Sequence, residues 1–326
     1  MSDVPSLELH AGVAGLRGLE REWWELWRQD DQATAFQSPA WLIPWAEAFQ
    51  PDAAFAACLR REGAVAAILP MFVFEEDGPR RLLPLGAGTT DWLGPVCRPD
   101  ARPIDLATLL AEVALDRGVE QADLPQLSPG SLLARAVAPP GWRAERAAGT
   151  PSPAVDLPAD LPKSLRQNLR TARNRLERTG RVEIAQAGGE SLTAAIERLF
   201  DLHAARWDGD GGGVLADPAV RRFHQLAAGE LERAGLLRLY TLALDGNVIA
   251  ALHGLRAKGR FHYYIGGYDP AHEHGSPGNL LIAHALEQAT ADGCRLFDFL
   301  RGQEDYKYRW GATDRESVSV TMRAVG

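Results

Sequence analysis

The chain has 326 residues, 46% of them hydrophobic, enough to bury a sizeable core and to build two domains. A formal net charge of -8 and a pI near 5.6 argue against a protein devoted to nucleic acid, though not against a local basic site. Cys58, Cys97 and Cys294 show no C-x-x-C spacing, the opening MSDVPSLELH lacks an apolar signal core, and no apolar run reaches membrane-spanning length; the expectation is a soluble cytoplasmic protein without membrane insertion.

Between Gly15 and Gln29, the residues Leu16, Leu19, Trp23, Leu26 and Trp27 recur near helical spacing, which predicts an amphipathic helix. A second helix is expected after Ser38, with Pro39 at its first position and Trp41, Leu42, Trp45 and Phe49 on its apolar face; packing accounts for these tryptophans. Ala54 to Leu59, a turn at Glu62-Gly63 and Ala64 to Phe74 read as a hairpin, followed by a strand at Arg81 to Leu85. The loop Gly86 to Trp92 either contacts a ligand, with Asp91 as acceptor, or is a plain turn. Leu106 to Leu115 reads as a helix. Pro125 to Pro153 is rich in Pro, Gly and Ala and is the best place for a boundary, giving domains at 1–150 and 151–326.

The second half opens with a basic segment. Lys163, Arg166, Arg170, Arg173, Arg175, Arg178 and Arg181 stand against one acid, Glu177, and at helical spacing Arg166, Arg170 and Arg173 share a face. Three explanations fit: a solvated face, an anion site built from arginine forks, or RNA contact. Helices are expected from Ser191, carrying Leu192, Ile196, Leu199 and Phe200 and then His203 and Trp207, and from Asp217-Pro218. Leu236 to Leu244, the Asp245-Gly246 turn and Val248 to Leu255 form a hairpin, and Arg260 to Tyr268 a further strand. This hairpin shares its strand, acidic-Gly turn and paired alanines with Leu59 to Pro70, which hints at an internal duplication. Helices ahead of a meander, then a helix between the last two long strands, make α/β layers the natural architecture.

The stretch FDFLRGQEDYKYRW, Phe297 to Trp310, begins as a buried strand holding one ionisable residue, Asp298. A carboxylate in such a strand is costly unless paired or protonated. The strand breaks at Gly302, and Glu304, Asp305, Tyr306, Lys307, Tyr308, Arg309 and Trp310 follow. Chemistry clustered past a strand end marks a candidate site, the alternative being that Asp298 simply caps a loop.

As F-D-F-L-x-G-x-E-x-Y-K-x-x-W, this run resembles the C-terminal signature of the CelD/BioF-type acetyltransferases, a branch of the GNAT superfamily related to the FemAB peptidyltransferases. Matching pieces occur in order at Leu161 to Arg170, at L-H-x-x-R-W (Leu202 to Trp207) and at Ser276 to Leu281. The resemblance covers the C-terminal half well and the N-terminal half loosely. It implies two tandem GNAT-like domains, each a mixed, largely antiparallel sheet flanked by helices, the first degenerate. It also implies an N-acyltransferase that moves an acyl group from acetyl-CoA or another acyl-CoA to an amine of a small molecule or sugar. The alternatives are a FemAB-like transferase that takes its acyl group from aminoacyl-tRNA, and a GNAT-derived module that only binds.

The GNAT resemblance also suggests site residues. A helix tip after a strand grips the pyrophosphate in such folds, which here points to His272, Gly275, Ser276, Gly278 and Asn279, with Arg170 and Arg173 as further anchors for CoA phosphates. The match to the superfamily's phosphate loop is incomplete, since Pro277 has no N–H to offer. Asp298 is the expected base, unless it forms an ion pair with Lys307 or Arg206, and Glu304 is the alternative base. Tyr306 could protonate the departing thiolate, and Lys307, matching the family's Y-K lysine, could hold an anionic group or the oxyanion. Arg206, Trp207, Tyr264, Tyr268 and Asp91 are candidates for acceptor contact, with core packing the other account of the aromatics. His272 and His274 lack a matching ligand set, so no metal is expected.

Overall fold

The computed structural model describes residues 6–75, 78–206 and 213–325, which form two compact units. The first comprises residues 1–150 and 316–326 and the second Pro151–Arg315.

In the first unit β1 (Ser6–Ala11) leads into α1 (Gly12–Gln29) and α2 (Pro39–Phe49), then a meander of β2 (Phe55–Arg61), β3 (Ala64–Phe74) and β4 (Arg81–Pro84). The short β5 (Val96–Cys97), α3 (Pro103–Asp116), β6 (Gln121–Leu127) and β7 (Trp142–Ala148) follow. The sheet runs β1-β2-β3-β4-β6, then β15, the chain's last strand (Val318–Ala324), then β7, with β5 on β3. Residues 316–326, assigned from the sequence to the second domain, therefore belong to the first. The cause is register: Val318 to Arg323 pairs antiparallel with β6 on one side and β7 on the other, so this strand is interior to the sheet.

The second unit contains β8 (Ser152–Asp156), α4 (Lys163–Glu177), β9 (Val182–Ala187), α5 (Leu192–Arg206), α6 (Pro218–Arg233), β10 (Leu237–Leu244), β11 (Asn247–Ala257) and β12 (Arg260–Tyr268). After these come α7 (Pro277–Ala291), β13 (Leu296–Asp298), the single turn α8 (Asp305–Tyr308) and β14 (Thr313–Arg315). Its sheet order is β14-β8-β13-β12-β11-β10-β9.

The units share one plan: a strand, two helices, a three-strand meander, then a helical crossover to a strand parallel to the meander's last. That sequence is β1-α1-α2-β2-β3-β4-α3-β6 in the first and β9-α5-α6-β10-β11-β12-α7-β13 in the second. Each sheet has one parallel pair, β4 with β6 and β12 with β13, as a helical crossover requires. The duplication suggested by the two hairpins is thus present in the topology.

Local sequence explains most of the elements. Asp217 caps α6 by accepting a hydrogen bond from the Ala219 N–H, with Pro218 at the first helical position. Helix α2 is buried throughout Pro39 to Ala46, and its tryptophans use their one polar handle: Trp41 Nε1–H donates to Thr90 Oγ1 at 2.8 Å and Trp45 Nε1–H to Thr89 Oγ1 at 2.6 Å. In the second unit Leu280, Leu281, Ile282 and Leu286 of α7 enter a core with Leu242, Leu252, Phe261 and Phe297. Burying such a side chain is worth about 1.5–3 kcal/mol each.

Helix α5 packs against β12 at Gly267, where a Cβ would lie 2.4 Å from the His203 nitrogen. Gly267→Ala should therefore destabilise the protein by about 1–3 kcal/mol, the usual range for overpacking, as read by urea denaturation. An unchanged midpoint would show that α5 can retreat.

Candidate functional site

Strands β12 and β13 pair only from Arg260 opposite Leu296 to His262 opposite Asp298. Beyond His262, β13 ends and its chain turns away, so the rest of β12 has an open edge on that side. A cavity of about 270 Å³ lies there. Its walls include Tyr263, Gly266, Gly267 and Tyr268 of β12, Arg206 at the end of α5, and Ser276 to Asn279 at the start of α7. Glu273, Tyr306 and Arg309 complete the polar lining. All of these residues belong to the second unit.

The polar groups have identifiable causes. The first backbone bond of α7 runs from Leu280 N–H to Ser276 O at 3.2 Å, so the N–H groups of Gly278 and Asn279 lie before the helical ladder begins. A helix start with free N–H groups attracts anions. Gly278 keeps the approach open, since a Cβ there would already touch Tyr268 at 3.4 Å. Arg206 lies over the Tyr268 ring, 5.4 Å from its centre, and adds a positive charge to the wall.

Two phenols meet in the cavity, where Tyr263 and Tyr306 hydrogen-bond to one another. Burial, reinforced by Tyr263 and Glu304, raises the Tyr306 phenol above its ordinary range, and burial likewise raises Tyr263. Both are therefore protonated near neutrality.

Residues 163–308 match the model of the Acetyltransferase (GNAT) domain. The second unit, which holds these residues, has the fold of that domain. FemX superposes with a TM-score of 0.69 at 10% identity, covering 94% of this chain and 96% of its own, so the two share a fold. A conserved protein from Bacteroides thetaiotaomicron VPI-5482 gives 0.65 at 14% identity, covering 98% and 100%. L-PGS from Bacillus licheniformis gives 0.53 at 14%, covering 78% and 80%. No curated protein matches this chain.

The GNAT fold brings some of the expected site residues together and separates others. Ser276, Gly278, Asn279, Arg206, Tyr268 and Tyr306 share the cavity. Gly275 and His272 do not line it. Gly275 is pressed against α4, where a Cβ would come within 2.3 Å of Leu176, and His272 sits 3.4 Å from Asp269. Arg170 and Arg173 line a different groove, with Ala283, His284 and Glu287 of α7. At 100° per residue that side of α7 is opposite the side carrying Gly278 and Ile282, so these arginines are not at the helix tip.

Tyr264 is also displaced, because adjacent strand residues face opposite sides of a sheet. It packs against His224 and His253, at ring distances of 5.3 and 5.6 Å, while Tyr263 next to it reaches the cavity. Asp91 is buried in the first unit, on the loop whose Thr89 and Thr90 hold the α2 tryptophans. Trp207 lies outside the described residues.

The strand-end motif acts on its own backbone. Asp298 is 2% exposed, accepts from the Leu300 N–H at 2.7 Å, and does not line the cavity. Lys307 is equally buried. Its Nζ donates to the carbonyls of Leu300, Arg301 and Gly302 at 3.0, 2.9 and 3.0 Å and pairs with Glu304 at 2.8 Å. An ammonium has three protons, so this one has none left for an oxyanion. Lys307 and Glu304 instead fasten the turn at Gly302 that brings Tyr306 to the cavity. Among the described residues no group of three or more His, Cys, Asp or Glu could hold a metal. No helix among them is long and apolar enough to cross a membrane.

Sequence reasoning missed Tyr263, Gly266, Gly267, Glu273 and Arg309. The alternation of Tyr263 with Tyr264 was the available signal, but it needed knowledge of which face of β12 opens.

Burial holds His253 down to about 4 and His262 to about 3, from an ordinary value of 6.5, and His224 is lowered well below that value by burial and by His253 and His203. These rings stay neutral in the folded state, whereas the unfolded chain takes up protons below pH 6.5. Stability should therefore be complete above pH 6.5 and fall as the pH drops from 6.5 towards 4, by about 1.4 kcal/mol per pH unit for each neutral histidine. Urea midpoints across that window check it, and a flat profile would contradict the burial.

Proposed function

We propose that the second unit is an acyl-CoA-dependent N-acyltransferase, moving an acyl group, acetyl in the simplest case, to an amine of a small molecule or sugar. The observation that carries this reading is one cavity holding both an open helix tip and a protonated phenol pair. The anionic end of the carrier rests on the N–H groups of Gly278 and Asn279, and the thioester arm lies along the open edge of β12. The amine nitrogen attacks the thioester carbon, a C–N bond forms and the C–S bond breaks. Tyr306 gives its proton to the leaving thiolate, and Glu273, a carboxylate in the lining, takes the proton lost by the amine. Arg206 and Arg309 orient the acceptor.

Thermal stabilisation tests the carrier. Acetyl-CoA or a longer acyl-CoA at about 100 times its Kd should add about 2.7 kcal/mol of stability. No shift with any acyl-CoA at saturation would refute the reading.

A second reading, aminoacyl transfer from tRNA as in the FemAB relatives, is supported by the match to FemX over 94% of this chain and by the exposed arginines of α4. It expects salt-sensitive tRNA binding that reversal of Arg170 and Arg173 abolishes. An RNA-free protein that ignores tRNA at low salt would remove it.

A further inference from the structure

The basic helix α4 is most deeply seated in its second half. Its buried residues are Ala172 and Leu176, the latter packed on Gly275, while Leu165 and Leu169, earlier in the helix, remain half-buried. Leu165 and Leu169 still touch the core, and a groove of about 720 Å³ runs between α4, α7 and the edge strand β9. Leu169, Ile184 and Leu280 supply apolar floor, and Arg166, Arg170 and Arg173 line the α4 side. Ligand sites for small organic molecules fall in this size range.

Charge decides the occupant. Arg173 is satisfied by Glu177 at 2.8 Å, and Arg166 reaches only a fully exposed Asp160 at 3.6 Å. The Arg170 side chain has no ion pair and no hydrogen bond among the described residues. A free guanidinium fork beside an apolar trough suits a molecule with a planar or tetrahedral anion at one end and methylenes at the other. Glu287 and His284 form the facing wall, and burial lowers the pKa of His284, which keeps that imidazole neutral. The anion is thus directed to the α4 side. The groove and the cavity lie on opposite sides of α7, so occupancy of one does not require the other.

We infer that this groove binds a free single-chain amphiphile with an anionic head, such as an alkyl phosphate or a fatty carboxylate. The test is calorimetric titration of the full chain with dodecyl phosphate below its micelle concentration. One-to-one binding is expected. Butyl phosphate should bind at least tenfold more weakly and dodecyltrimethylammonium should not bind. Arg170→Gln, at an exposed position, should weaken dodecyl phosphate at least fivefold, and Ala283→Trp should block it by filling the trough. Absence of binding overturns the inference. So does equal affinity for inorganic phosphate, or equal affinity in both variants. Competition by acetyl-CoA would merge the groove with the cavity, competition by tRNA would make it a nucleic-acid face, and binding only to anionic vesicles would make it a membrane-surface patch. Each of these also overturns it.

Discussion

Tyr306→Phe is expected to lower kcat for acyl transfer by about 10²-fold or more, the usual worth of a positioned general acid, with little change in the urea midpoint. The expectation rests on the Tyr263–Tyr306 pair, both phenols protonated near neutrality, raised further by burial, and both in the lining of the cavity. Departure of a thiolate needs a proton at the moment the C–S bond breaks, and Tyr306 is a protonated hydroxyl in the lining of the cavity. Tyr263→Phe should cost less, since it removes only the hydrogen-bond partner that orients the Tyr306 hydroxyl. Binding of acyl-CoA should survive both changes, so the loss belongs to kcat and not to KM. A fully active Tyr306→Phe enzyme would make the pair a packing feature. An inactive wild type that still binds acyl-CoA would leave a binding module.

Lys307→Met should destabilise the protein by several kcal/mol, about 1–3 kcal/mol for each buried carbonyl left without a donor. Three carbonyls, of Leu300, Arg301 and Gly302, lose their shared donor, and Glu304 loses its cation. Glu304→Gln, by contrast, should cost less than about 1 kcal/mol, because the Glu304 side chain is 58% exposed and water replaces the ion pair. Chemical denaturation of the two variants reads the difference. If Lys307→Met kept its stability and lost turnover alone, the lysine would have the anion-binding role expected from the sequence.

The long periodic segments were legible because one physical signal dominated each. The pattern Leu16, Leu19, Trp23, Leu26, Trp27 lies wholly on the buried side of α1, and Asp217-Pro218 starts α6 where capping chemistry puts it. The strands β7 and β15 were not legible. Strand β7 reads WRAERAA and is mostly exposed, so it carries little apolar alternation, and it falls in the Pro, Gly and Ala-rich stretch taken as a boundary. The return of β15 to the first sheet is a pairing about 170 residues away in sequence, from Val318 opposite Ala148, and no local pattern encodes such a partner.

The site divided along similar lines. The order of motifs in the second half pointed to the correct crossover, strand β12 into helix α7, and so to Ser276, Gly278 and Asn279. Side-chain direction was less accessible. Asp298 and Lys307 carry the chemistry most suggestive of catalysis, yet Asp298 lies outside the cavity holding the Leu300 N–H, and Lys307 is spent on three carbonyls and Glu304. Composition cannot reveal whether a buried charge is spent on its own chain or offered to a ligand. Arg170 and Arg173 met the complementary difficulty: charge density singled them out, but which side of α7 they would line depended on the placement of two helices.

The most direct test of the carrier site is a crystal structure of the protein with a non-hydrolysable acetyl-CoA analogue. The pyrophosphate should lie within hydrogen-bond distance of the Gly278 and Asn279 N–H groups, with the acyl carbonyl beside β12 and the sulfur near Tyr306. An analogue found in the α4–α7 groove with the β12–β13 cleft empty, or no bound analogue at saturating concentration, would contradict the account.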